Sequence, residues 1–187
     1  MGIMIKEEFE KILSSKCCTL LGVGPMSINC VDAVIELGNE NNIPLMLIAS
    51  RRQIDSEYFG GGYVNNWSTE KFANYVYEKD INKKVVLCRD HGGPWQNNQE
   101  VANKISLKEA MASAKKSFES DILSGFKIIH IDPSIDIFEK PILSNVLDRL
   151  FELYEYCFEL AKNKNKEILF EIGTEEQSGS TNTQEEL

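Results

Sequence analysis

Asp90 and His91 stand side by side in the segment Cys88-Arg89-Asp90-His91-Gly92-Gly93-Pro94-Trp95. An imidazole nitrogen can ligate a divalent metal, a carboxylate can move protons, and adjacent glycines let backbone approach closely. The segment reads either as an ordinary polar pair at a strand end or as a metal ligand at His91 beside an acid/base at Asp90. The second reading is preferred. His130 is the other histidine of the chain, in Lys127-Ile128-Ile129-His130-Ile131-Asp132. Strand alternation puts Ile128, His130 and Asp132 on one face and Ile129 and Ile131 on the other. A satisfied core histidine is the expectation for His130, while Asp132, nearer the strand end and followed by Ser134, is the better candidate for function.

Glu171 interrupts the apolar run Leu169-Phe170-Glu171-Ile172. A lone carboxylate facing a core is costly, so a partner or a metal ion is expected beside it. Glu175 and Glu176 follow, either as part of a solvated acidic loop or as a mobile acid/base. Ser50 ends another apolar run, with Arg51-Arg52-Gln53 next and Gly60-Gly61-Gly62 slightly later. Three adjacent glycines are costly in chain entropy. Contact with phosphate or substrate explains them as well as a flexible loop does. Trp67 and Trp95 read as packing residues, and no Ser or Cys stands beside a base in the manner of a nucleophile.

These residues need elements to position them. Five short apolar runs recur at 19–23, 44–49, 84–88, 127–131 and 168–172, and amphipathic stretches fill 28–41, 69–78, 107–123 and 142–162. Near-continuous runs such as LMLIA and KIIHI suit strands covered on both faces, and strand followed by helix, repeated, predicts a parallel α/β sheet. Ser106 and Glu109 have capping-box spacing, Ser68 can cap the helix at 69, and Pro141 suits a first helical position. Gly22-Val23-Gly24-Pro25-Met26-Ser27 lacks the third glycine of a dinucleotide-binding turn. Polar residues close the later strands at Ser50, Asp90 and His91, Asp132 and Ser134, and Glu171, as a barrel requires of its active face. The expected fold is α/β, a (β/α)8 TIM barrel, of which 1–175 supply about the first five β/α units; 176–187 read as a polar loop or disordered tail. Unpaired edges on the first and fifth strands predict self-association or pairing with a missing half.

Composition narrows the function classes. The 187 residues carry 20 basic and 29 acidic side chains for a net charge of −9, with no basic stripe interleaved with aromatics, so nucleic acid is an unsuitable partner. An anionic sugar phosphate is still compatible, since local donors can hold it. The five cysteines, Cys17, Cys18, Cys30, Cys88 and Cys157, show no metal-type pairing and read as reduced thiols. MGIMIKEEFEKIL has charges through its apolar residues, which suits neither a signal peptide nor a membrane span. A cytoplasmic protein with no membrane partner is expected.

Four ordered segments, IASRRQIDSEYFGGGYVNNWSTEKFANYV, DHGGPW, GFKIIHIDPS and IGTEEQSG, resemble the non-catalytic (accessory) subunits of D-tagatose-bisphosphate aldolase class II, relatives of the class II fructose-bisphosphate aldolases. The resemblance runs from about Leu20 to Gly179. It implies a metal-dependent aldolase acting on a phosphorylated ketose, or a non-catalytic subunit that stabilises such an aldolase. Ser27-Ile28-Asn29, Ser50, Asp90-His91, Ile131-Asp132-Pro133-Ser134 and Glu171-Ile172-Gly173 match the aldolase layout. The implied roles are acid/base at Asp90, zinc or another divalent metal at His91 and Glu171, and proton shuttling at Glu175 or Glu176. Ser50, Gln53, Asp132 and Ser134 are the implied substrate contacts. Cys88 departs from the pattern, standing where the aldolases commonly carry histidine. The implied partners are the phosphorylated sugar and either further copies of the chain or a catalytic aldolase subunit.

Overall fold

The structure, a computed structural model, describes residues 5–15 and 19–173. Five strands, β1 (Gly22–Val23), β2 (Leu45–Ser50), β3 (Val85–Gly92), β4 (Ile128–Ile131) and β5 (Leu169–Ile172), form one parallel sheet in the order β1-β2-β3-β4-β5. A doubly wound sheet would break that sequential order, which is the order neighbouring barrel units take. The connections are α2 (Ile28–Asn41), α3 (Thr69–Lys79), the short α4 (Asn98–Ala102) with α5 (Leu107–Ser124), and α6 (Leu143–Asn163).

Alternate strand residues explain how the sheet is covered. Leu45, Leu47, Ala49, Leu87, Ile129 and Ile131 are buried on one face, together with Val31 and Ile35 of α2, Phe72 and Val76 of α3, Phe118 and Ile122 of α5, and Leu153 and Cys157 of α6. Burial of side chains of this size, at about 1.5–3 kcal/mol each, is the main force holding the helices to the sheet. The other face carries Met46, Ile48 and Ser50 of β2, Cys88 and Asp90 of β3, His130 of β4 and Glu171 of β5, and it is only partly covered.

Caps follow the sequence closely. Ser27, Ser68 and Ser106 each accept a backbone N–H at the start of a helix, and Glu109 completes the capping box with Ser106. Asn42 and Gly125 close α2 and α5 in the left-handed conformation. Pro141 needs correction: α6 begins at Leu143 after an extended Ile142, so the proline stiffens the approach rather than the first turn. A helix at the N-terminus, α1 (Ile5–Ser15), had no counterpart among the expected elements; the Lys6 backbone N–H reaches Glu167 at 3.4 Å. Among the described residues no helix is long and apolar enough to cross a membrane.

Candidate functional site at the strand ends

The end of β3 departs from a regular strand. Arg89 pairs with Ile129 of β4 and Gly92 with Ile131, so Asp90 and His91 together stand opposite His130 alone. This is a β-bulge, and His91 sits in it at φ 41°, a left-handed conformation unusual outside glycine. In a flat strand adjacent side chains point to opposite faces. The bulge instead brings Asp90 and His91 into one cluster, with His91 Nε2 3.5 Å from Asp90 Oδ1. The two glycines are needed for the same reason. A Cβ on Gly93 would lie 2.0 Å from the Asp132 carbonyl oxygen, and one on Gly92 would lie 2.2 Å from the Phe118 ring.

Asp132 holds the His91 ring. Its Oδ2 meets His91 Nδ1 at 2.8 Å and accepts from Gln96 at 3.3 Å, while Oδ1 accepts from the Ser134 backbone at 3.0 Å and hydroxyl at 2.5 Å. The sequence reading places Asp132 and Ser134 in contact with substrate. Asp132 is fully buried, with its oxygens engaged by His91, Gln96 and Ser134. A carboxylate behind one ring nitrogen fixes the tautomer and directs the other nitrogen toward a metal or substrate.

His130 also departs from expectation. Its Nδ1 accepts from the His91 backbone N–H at 3.4 Å and lies 3.9 Å from Asp90 Oδ1 and 4.0 Å from Glu171 Oε2. Its Nε2 is buried and, among the described residues, has no partner. A satisfied core histidine would not leave a nitrogen in that state. Ligand atoms of Asp90, His91 and His130 lie within 4.8 Å of one another, the only such group of three found among the described residues. Two imidazoles and a carboxylate suit zinc and its neighbours. The signal for His130 was present in the sequence: it shares a strand face with Asp132 and adjoins the strand carrying Asp90 and His91.

Burial would push the Asp90 carboxyl up, but the nearby His130 and His91 rings and Arg89 together hold it below the usual carboxylate range. Asp90 is thus ionised at neutral pH. Glu171 faces the same cluster, yet its side chain is 61% exposed, so the cost of facing a core does not apply to it. The Cys88 thiol lies deeper on the same face, and burial, followed by the Glu171 charge, pushes it up to about 12. It remains a neutral thiol at neutral pH. Glu175 and Glu176 lie outside the described residues.

The β2 end is more constrained than its composition suggests. Ser50 and Gln53 bond to each other, backbone to side chain, at 2.9 and 3.3 Å, and Gln53 is buried against Met26. Arg51 is fully buried and donates to Asp55, Glu100, Ser113 and the Gly93 carbonyl. It supports the β3 turn from behind and is closed to phosphate. In the glycine run, Gly60 and Gly61 take φ 83° and 79°, and a Cβ on Gly62 would lie 2.1 Å from the Gln53 carbonyl oxygen, so left-handed backbone and close packing both call for glycine here. Trp67 and Trp95 are buried packing residues, as expected.

Fold and site together define an α/β protein with its candidate site gathered at the C-terminal ends of sequentially ordered parallel strands. Residues 9–186 match the family described as D-tagatose-1,6-bisphosphate aldolase subunit GatZ/KbaZ-like, and the chain belongs to that family. Among solved structures it is similar to a probable tagatose 6 phosphate kinase from Sinorhizobium meliloti 1021, at 20% identity and a TM-score of 0.68 over 84% of this chain. The match takes in 39% of the Sinorhizobium chain, so the present chain spans about two fifths of that protein's length. At that identity the likeness speaks to the fold alone. The YdjI aldolase from Escherichia coli K12 aligns with 91% of this chain and 72% of its own, at 12% identity and a TM-score of 0.39, which is too loose to build on.

Proposed function

We propose that the chain contributes the metal-binding and proton-transfer corner of a metal-dependent aldolase acting on a phosphorylated ketose. The observation that carries this reading is the convergence of Asp90, His91 and His130, with His91 oriented from behind by Asp132. His91 and His130 would hold zinc or another divalent metal, with Glu171 near enough to join them. A metal bound there supplies polarisation of the ketose carbonyl. Asp90, held ionised, takes the proton of the substrate hydroxyl in the cleavage direction and returns it in condensation. Ser50 and Gln53 frame the neighbouring strand end, where they would meet substrate, and Glu175 or Glu176 would shuttle the second proton. In this reading β1 to β5 are the first five strands of a (β/α)8 barrel, closed by further units wherever these are supplied.

Two observations favour a second reading, that of a non-catalytic subunit stabilising a catalytic aldolase chain. Cys88 presents a buried neutral thiol at the position where the aldolase resemblance expects histidine, and Glu171 is largely exposed rather than locked to the cluster. The test is elemental analysis of the purified protein, combined with assays of metal-dependent cleavage of tagatose bisphosphate by the chain alone and mixed with a catalytic aldolase subunit. Stoichiometric metal that is lost in His91→Ala, with cleavage by the chain alone, supports the first reading. Cleavage only in the mixture, unchanged by His91→Ala, replaces it with the second.

A further inference from the structure

Helix α6 carries more apolar surface than the sheet covers. Val146, Leu150, Leu153 and Cys157 are buried against the core, while Leu143, Leu147, Phe151 and Phe158 are 46, 39, 57 and 46% exposed. With the half-buried Tyr154, these last four fall within an arc of about 80° on a helix of 3.6 residues per turn, a second seam beside the buried one. The side of α6 toward α5 is already in use, since Lys115 of α5 bonds to Glu152 at 2.7 Å and lies over the Tyr156 ring. The seam is on the other side. Tyr154 stacks on Phe158 at 6.0 Å and meets Phe170 of β5 at 4.7 Å, so the seam runs beside the strand that ends the sheet. A continuous exposed apolar strip on a highly charged protein marks an interaction surface.

Residues 174–187, which follow β5, include one apolar side chain, Leu187, too few to fill a seam of five. The seam itself reads the same in both directions. Where two copies of a helix pack antiparallel about a two-fold axis, contacts are reciprocal, residue i to j and j to i. Leu143 then meets Phe158 in the same register in which Leu147 meets Tyr154, and Phe151 falls beside the axis, against its own copy. The ends are complementary in charge. α6 begins at Leu143 without a side-chain cap, and this register sets Glu159 of one copy against that N-terminus of the other, where the helix dipole favours a negative charge. Symmetry makes the contact twice. Asp148 and Glu155 stay at the exposed rim, where like charges cost little.

We propose that this seam docks a second copy of the chain, α6 against α6 in antiparallel, with Phe151 at the two-fold axis. A helix of 21 residues offers a strip about 30 Å by 10 Å, less than the roughly 800 Å² per partner of a standard interface, so the dimer exchanges with monomer. A β/α unit supplied by a different polypeptide is the competing occupant, and it would leave this chain monomeric on its own. The aldolase reading does not depend on the dimer, and the failure of either leaves the other standing.

The experiment is sedimentation equilibrium of the wild-type protein and three variants over a wide concentration range, with circular dichroism to verify that each variant is folded. A monomer–dimer equilibrium is expected for wild type. Phe151→Lys removes an aromatic side chain from both sides of the axis and sets two ammonium groups together, so dimerisation should weaken by about a hundredfold or more. Glu159→Gln should weaken it by about threefold or more, because two charge–dipole contacts are lost. Ile81→Lys, on the turn after α3 where Ile81 is 80% exposed, removes a large apolar side chain away from the seam and should leave the dimer unchanged. A wild-type protein that stays monomeric throughout, a dimer unmoved by Phe151→Lys or Glu159→Gln, or one weakened equally by Ile81→Lys overturns the proposal.

Discussion

Arg89 and His91 are two residues apart on one strand, and their surroundings differ sharply. Arg89 points toward the helices, where Nε and Nη2 bond to the Asp121 carboxylate at 2.8 and 2.6 Å, and its other donors reach the Ala49 and Ile54 carbonyls and the Thr69 hydroxyl. Every hydrogen of the guanidinium is used, in a setting closed to solvent. His91, in the bulge, is partly exposed, stands in a left-handed conformation, and adjoins a histidine one nitrogen of which has no partner among the described residues. Polar groups whose capacity is filled by the fold serve the fold. Those held in place from behind, with capacity left toward an open face, are the ones equipped for chemistry.

The comparison is most easily broken on the Arg89 side. Asp121→Ala leaves a buried guanidinium without its carboxylate and is expected to cost about 3–5 kcal/mol in urea denaturation. A loss below about 1 kcal/mol would show that water reaches Arg89 and that the network is not closed. Gly93→Ala strikes the boundary between the two regions, because the new methyl meets the Asp132 carbonyl oxygen, which is backbone and cannot swing aside. A cost of about 1–3 kcal/mol is expected. If the proposed metal binding holds, metal affinity should fall with it, since Asp132 meets the His91 ring.

On the other side the expected cost is small. His130→Leu removes a buried Nε2 that has no partner among the described residues, but also the Nδ1 that accepts the His91 backbone N–H at 3.4 Å, so the two effects offset and stability should stay within about 1 kcal/mol of wild type. Under the proposed metal-binding reading, zinc affinity, measured by competition with a chromogenic chelator, should fall by about tenfold or more, as for loss of a ligand or its support. Destabilisation on the scale of Asp121→Ala, with zinc affinity intact, would place His130 with the structural group instead.

Much of this could be read from the chain. The apolar runs located all five strands, Ser106 and Glu109 announced the start of α5, and Asp90-His91 marked the candidate site. What escaped depends on partners distant in sequence. Arg51 finds Ser113 across 62 residues and Arg89 finds Asp121 across 32, so neither could be recognised as buried from its neighbours. The run Gly60-Gly61-Gly62 shows a conformational cost but not that the Gln53 backbone passes beside it. The bulge at His91 likewise depends on how β4 registers against β3, which no local pattern encodes.

The smallest expected effect lies with a pair intermediate between the two groups. Asp136 Oδ2 accepts from Arg149 Nη2 at 2.6 Å, and Oδ1 accepts from the Phe138 and Glu139 backbone N–H groups at 2.9 and 3.3 Å. Arg149 is buried beside Trp95, yet its Nε has no partner among the described residues, so the pair is less complete than Arg89 with Asp121. Burial alone would push the Asp136 carboxyl up; the backbone N–H groups and Arg149 outweigh it and hold the carboxyl below its ordinary value. A folded-state pKa below the unfolded one stabilises the protein above the unfolded value, near about 3.9, and that contribution is lost as pH falls through the folded value. Wild type should therefore exceed Asp136→Asn by about 1 kcal/mol or less, by a constant margin from neutral pH down to about pH 5. The margin should close as pH drops below about 4, where the aspartate takes up its proton and comes to resemble the asparagine. Urea titrations of both proteins across that range measure the margin directly. One that persists to the lowest pH would mean the loop is held by the shape of the Asp136 turn and not by its charge.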